Sequence, residues 1–230
     1  MNDITGTLEG TDDDGIPLWV AFPPGYFPLP LDDVQGSLDR AELVLTDVAD
    51  AEQQPLIQAV TGALAMFLSD LASCGAVYCG IGRHVSPVDD TVVTSSLVIS
   101  YQEYEGTRNP RLVLKDLVQA KADADERGQA DLVDVLERPM LFFERTRHLL
   151  TPQLPGQSEV PEGASSPVYQ LEAFVPSDDG SKLANIEFST PFQAHGAEFR
   201  AMVVQLAASV SFEPPAPTSD TNSNISQLLG

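Results

Sequence analysis

The chain has 230 residues, 43% of them hydrophobic, which is enough to enclose the core of one large domain or two small ones and too apolar for a disordered chain. Its 34 Asp and Glu against 12 Lys and Arg give a formal net charge of −22. Such a field repels phosphate backbones and anionic membranes, so nucleic-acid binding is excluded, and without a run of ~20 apolar residues no membrane insertion is expected.

Residues 1–15, "MNDITGTLEGTDDDG", read as a flexible acidic leader closing in a turn. They lack the basic start and apolar middle of a signal peptide, so a cytoplasmic, reducing setting is expected, with both cysteines as thiols. A single α+β domain over 16–213 follows, in which an antiparallel sheet packs against helices. It opens with "IPLWVAFPPGYFPLPLDD", where Pro17, Pro23, Pro24, Pro28 and Pro30 forbid a helix, since each lacks an N–H and restricts the residue before it. Short extended pieces anchored by Trp19, Phe22, Tyr26 and Phe27 are expected there, and these four aromatics form the candidate interaction surface.

Two helices come next. "SLDRAELVLTDVAD" spaces Leu38, Ala41, Leu45 and Val48 by three and four, with Ser37 as the expected N-cap. "PLIQAVTGALAMFLSDLAS" repeats the pattern with Leu56, Val60, Leu64, Phe67, Leu68 and Leu71, and Pro55 suits its first turn. Apolar around much of its circumference, this helix is expected to be buried, with Met66 and Phe67 in the core. The period then changes to that of strands in "SCGAVYCGIGRHV" and "TVVTSSLVISYQEY", joined by the turn "SPVDD".

A third helix is predicted from Pro110 to a C-cap at Gly128, followed by "ADLVDVLERPMLFFERTRHLL" as two strands hinged at Pro139. "PVYQLEAFVP" and "KLANIEFST" form a second hairpin around "SDDGS". A last helix starts at Thr190-Pro191, with Phe192, Phe199, Met202, Val203 and Leu206 as its sheet-facing stripe. A short "SVSFE" strand closes the domain, and residues 214–230 read as a disordered tail.

Weighed one by one, the chemical candidates favour bland readings. Two cysteines are too few for a structural zinc site, and Cys74 and Cys79, five apart on one strand, would point to opposite faces. One buried and one partly exposed thiol is the expected outcome. A Cys–His pair of Cys79 with His84 or His148 has no motif behind it. The acidic runs lack the alternating oxygen ligands of a calcium loop and read as turns. Arg145 and Arg147 share a strand face and are expected to serve solubility or an interface. No catalytic, cofactor-binding or metal residue is assigned, and no cofactor is expected.

The ending "LANIEFSTPFQAHGAEFRAMVVQLAASVSFE" runs a strand into Ser189-Thr190-Pro191, then a helix carrying Phe199 and Val203, then the short terminal strand. This unit resembles the C-terminal part of the PsbP-like superfamily, and also small acidic actinobacterial proteins that accompany secretion-related genes. The resemblance implies an accessory or binding role with no shared catalytic residues. A non-enzymatic cytoplasmic protein that binds another protein, of basic character given the acidic field, is therefore expected. Two alternatives stay open: an enzyme whose thiol or carboxylate site is assembled by the fold, and a subunit of a symmetric homo-oligomer.

Overall fold

The computed structural model describes residues 16–214 except 152, 154, 156–158 and 162. The expected leader, and the expected tail beyond Pro214, lie outside the described residues. The described chain forms one α+β domain around a seven-stranded, wholly antiparallel sheet. In chain order the elements are β1 (Tyr26–Pro28), α1 (Val34–Val48), α2 (Gln54–Ser73), β2 (Ala76–Val85), β3 (Val92–Glu103), α3 (Pro110–Asp123), β4 (Gln129–Val135), β5 (Arg138–Leu150), β6 (Ser165–Pro176), β7 (Lys182–Thr190), a 3₁₀ turn over Gln193–Phe199, and α4 (Arg200–Ser209).

The strand order is β1-β2-β3-β7-β6-β5-β4. Two meanders, β1–β3 and β4–β7, are therefore joined by the α3 crossover and meet where β3 pairs with β7. Strand alternation splits the side chains between two faces. On the first face Leu97, Ile99, Ala184, Ile186 and Phe188 pack with Leu18, Val20, Phe199, Val203 and Leu206, all buried. On the second face α3 covers Leu141, Phe143, Phe174 and Leu183 through Val113 and Leu114, while α2 lays Leu68 over Cys79 and Val98. The extended entry is held to the first face by backbone bonds between Trp19 and Ser211 (2.9 Å each way). The expected "SVSFE" strand amounts to that single bridge.

Several expectations are corrected. α1 begins at Val34 rather than at a Ser37 cap. Asp33 precedes it with a left-handed backbone, and the Ser37 hydroxyl instead accepts from Arg40 (3.0 Å). Neither α1 nor α2 is buried along its stripe: only Val34 and Leu38 of α1, and Thr61 and Leu68 of α2, are. α3 stops at Asp123, with Asn109 capping its start, and Asp125 rather than Gly128 takes the left-handed residue after it. Gly128 instead lies against β5, where a Cβ would come within 2.6 Å of the Phe143 ring.

The hinge between β4 and β5 is Leu136-Glu137, not Pro139, which sits inside β5 opposite Asp134. Val135 and Arg138 flank the two-residue turn as its hydrogen-bonded pair, so the next pair, Asp134 with Pro139, is the non-bonded one. The missing proline N–H would face β6, whose pairing with β5 begins only at Leu141 opposite Phe174, so it is not called upon. Finally, the C-terminal helix is split. The 3₁₀ turn carries Gly196 onto the Tyr169 ring, where a Cβ would sit 2.2 Å from Cγ, and α-helical winding resumes at Arg200. Thr190 is the last residue of β7 rather than a helix cap, since Phe192 precedes the 3₁₀ turn: its hydroxyl accepts from the Phe192 N–H (3.1 Å) and donates to the Thr94 carbonyl (2.7 Å), tying β7 to β3.

Three stability measurements follow from this packing. Phe199 stacks on Phe188 at 4.8 Å and meets His84 edge-on at 5.3 Å, so Phe199→Ala should cost ~3–5 kcal/mol in chemical denaturation. Leu136 and Glu137 both hold positive φ (50° and 66°), which costs side chains roughly 1–2 kcal/mol each. The Leu136→Asn/Glu137→Gly variant should therefore raise the denaturation midpoint, and an unchanged midpoint would mean that the turn is not left-handed. Gly62, in mid-α2 with open space where its Cβ would stand, should gain ~0.5–1 kcal/mol on mutation to Ala.

Candidate functional site

Neither thiol is part of an assembled site. The expectation that both lie on one strand is corrected: Cys74 is the exposed C-cap of α2, and only Cys79 lies on β2, buried beneath α1 and α2. Burial pushes the Cys79 thiol up to about 11. His84, five residues on, points to the opposite face among Tyr26, Ser95 and Phe199, and His148 is exposed on the outer half of β5. The sheet itself therefore separates the thiol from His84.

Charge is concentrated instead beneath α3. Arg145, expected at the surface, has a side chain only 12% exposed and Lys121 only 14%. Arg145 donates to Gln170 (2.7 Å), to Glu172 (3.1 Å) and to Glu126, and Lys121 donates to Glu126 (3.1 Å) and pairs with Glu172. Both cations also stand over the Phe143 ring, Lys121 at 4.4 Å. Burial would raise the Glu126 carboxyl, but Lys121 and Arg145 outweigh it and hold it below the ordinary range. Two cations and two carboxylates satisfy one another here, and together they fasten α3 to β5 and β6.

Glu187 lies directly across from Glu172 in the β6–β7 register. Burial, reinforced by Glu172, raises its carboxyl. A carboxylate pair with divergent surroundings is the arrangement that the enzyme alternative needs. However, Glu172 is already engaged by Lys121 and Arg145. The cavities of about 480, 390, 400 and 270 Å³ that the fold forms elsewhere are lined by neither glutamate and by neither cysteine.

Sequence reasoning missed a second cluster. His195 Nδ1 lies 2.9 Å from Glu198, its Nε2 lies 3.6 Å from Asp89, and Ser86 donates to Glu198 (3.2 Å). Ser86 contacts the carboxylate rather than the imidazole, and its oxygen also accepts from the Val88 N–H (3.1 Å), so it is a turn-forming hydroxyl rather than an activated nucleophile. The cluster pins the 3₁₀ turn to the β2–β3 loop. Only the three-residue spacing of His195 and Glu198 could have hinted at it. The runs "PVDD" and "SDDGS" are turns, with Asp179 accepting from Ser177 and Ser181 and held down to about 2 by those bonds.

The four aromatics read from the sequence are dispersed. Trp19 bridges to Ser211, Phe22 packs on Tyr78 at 4.3 Å, and Tyr26 bonds Ser95 (3.0 Å), while Phe27 alone is mostly exposed, at 67%. The larger uncovered apolar surface is on the α1–α2 hairpin. Val34, Leu38, Ala41, Leu45 and Val48 share one helical stripe, yet beyond Leu38 the stripe is bare, with Leu45 at 45% and Val48 at 77% exposure. On α2, Val60, Met66 and Phe67 are 44%, 71% and 49% exposed. By length and composition α2 could also cross a membrane, although here Leu68 seats it on β2 and β3. No family model and no curated protein matches the chain.

Two measurements test this geometry. A thiol reagent should modify one cysteine per native chain quickly, Cys74, and the second only on unfolding. Glu187→Gln should stabilise the protein at neutral pH. A carboxyl raised in the folded state takes up protons on folding, so stability falls as pH rises from its unfolded value near 4.5 through the folded one. The gain from the amide should therefore vanish below that window, and a gain independent of pH would show that Glu187 is not the titrating group.

Proposed function

We propose that the protein is a non-enzymatic binding protein whose α1–α2 hairpin receives another protein. The observation that carries this reading is the bare apolar surface of two consecutive helices, Val44, Leu45 and Val48 on α1 with Val60, Met66 and Phe67 on α2, each 44–77% exposed. A folded domain gains by covering such side chains, and a partner that docks on these helices removes them from water. Phe27 adds a further exposed aromatic. The resemblance to PsbP-like domains supports an accessory role, and the charge of −22 supports a basic partner.

The triple variant Val48→Ser/Met66→Ser/Phe67→Ser tests the reading, because side chains this exposed can be replaced with little loss of stability. Affinity capture from native lysate should recover proteins with the parent chain that the folded variant fails to retain. Recovery of the same set by both would contradict it.

A further inference from the structure

Between α1 and α2 runs an open groove of about 390 Å³, lined by Leu38, Thr61, Gly62, Ala65 and Met66 and edged by the carboxylates of Asp39, Glu42 and Asp70. Thr61 is buried, and its hydroxyl donates to Glu42 Oε2 (2.8 Å), shared with the Ile57 carbonyl (2.9 Å), which fixes that carboxylate at the groove wall. Asp39 accepts from Gln35 (2.6 Å). Among the described residues no Lys, Arg or His forms an ion pair with Asp39, Glu42 or Asp70.

Gly62 stands at the middle of this groove. Its Cβ would meet nothing within 4 Å, so this chain's own packing does not require a glycine there, and a glycine inside a helix weakens it. A residue without a side chain at that point allows the backbone of another helix to approach closely. The charge around it defines that helix. Over residues 34–73 there are six carboxylates (Asp39, Glu42, Asp47, Asp50, Glu52 and Asp70) and one cation, Arg40, which already faces Asp33 at 3.5 Å. A second copy of the hairpin and an anionic lipid surface are both repelled by it, whereas a cationic segment is attracted.

We infer that the α1–α2 groove docks a basic amphipathic helix of a partner protein. Its Lys or Arg side chains meet Asp39, Glu42 and Asp70, its backbone approaches Gly62, and its apolar side chains cover Met66. This deepens the binding role proposed above and rests on it.

The test uses the full chain and a labelled 18-residue Leu/Lys amphipathic peptide as probe, read by fluorescence anisotropy, with a Leu/Glu peptide of the same pattern as reference. Saturable binding of the Leu/Lys peptide alone is expected. Asp39→Asn/Glu42→Gln/Asp70→Asn should weaken it about tenfold or more, and Gly62→Leu, which fills the groove on a helix left intact by circular dichroism, should do likewise. Neutralising Asp123, Asp131 and Asp178 to Asn, an equal change in net charge elsewhere, should weaken it far less. Equal losses from the two charge sets, or indifference to Gly62→Leu, would overturn the inference by showing attraction to the general field. So would a dimer in sedimentation, or binding to neutral phosphatidylcholine vesicles, that Gly62→Leu abolishes. If lysate capture depends on Val48, Met66 and Phe67 while the peptide is not bound, the binding role stands and the basic helix falls.

Discussion

β3 and β7 are distant in sequence, and their pairing, from Ser96 opposite Ser189 to Glu103 opposite Lys182, converts two local meanders into one sheet. Closing so long a loop costs chain entropy before any contact compensates for it. What offsets that cost is the first face of these two strands. Leu97, Ile99, Ile186 and Phe188 are entirely shielded from solvent, roofed by Val203 and Leu206 from α4. The Thr190 hydroxyl bond to the Thr94 carbonyl reinforces the same register. Slipping the pair by one residue would exchange these apolar residues with Asn185, Glu187 and Ser189, so the register is tightly specified.

The second face pays for that certainty in polarity. Ser96 bonds Ser189 (2.7 Å) across the central strands, and Glu172, Glu187, Gln170 and Arg145 follow on β5, β6 and β7. Such a floor does not recruit a continuous helical layer. α3 covers only the apolar end and is fastened there through Lys121, and the α1–α2 hairpin covers only Cys79 and Val98 on the other side. The hairpin is longer than the apolar strip it rests on, and Val44, Leu45, Val48, Val60, Met66 and Phe67 are left in solvent. The exposed apolar surface thus arises from a mismatch between a long amphipathic hairpin and a short apolar landing site.

Most strands were legible because alternation is a local signal. β7 occupies the residues its pattern marks, and β2 and β3 flank the turn at Ser86–Thr91. Helix existence was equally legible, but helix burial was not. The three- and four-residue spacing of Leu38, Ala41, Leu45 and Val48 says which side of α1 is apolar, yet not how far the sheet extends beneath it. For the same reason the apolar circumference of α2 resembled a core helix. The Arg145–Glu172–Lys121–Glu126 network and the Asp89–His195–Glu198 cluster each join segments far apart in the chain, so local spacing gave at most the His195–Glu198 pair. Trp19, Phe22 and Tyr26 drew attention by density alone, and the structure spends them on packing the extended entry.

Solvent access at the middle of α2 is the most direct measure of the central claim, that the hairpin is an open binding face rather than buried core. In a Cys74→Ser background, a cysteine placed by Met66→Cys should react with a maleimide in the purified native protein at close to its rate in the unfolded chain, while Cys79 stays unmodified. Slow labelling at that position in the free protein would show that the face is already covered, and would contradict a surface held open for a partner.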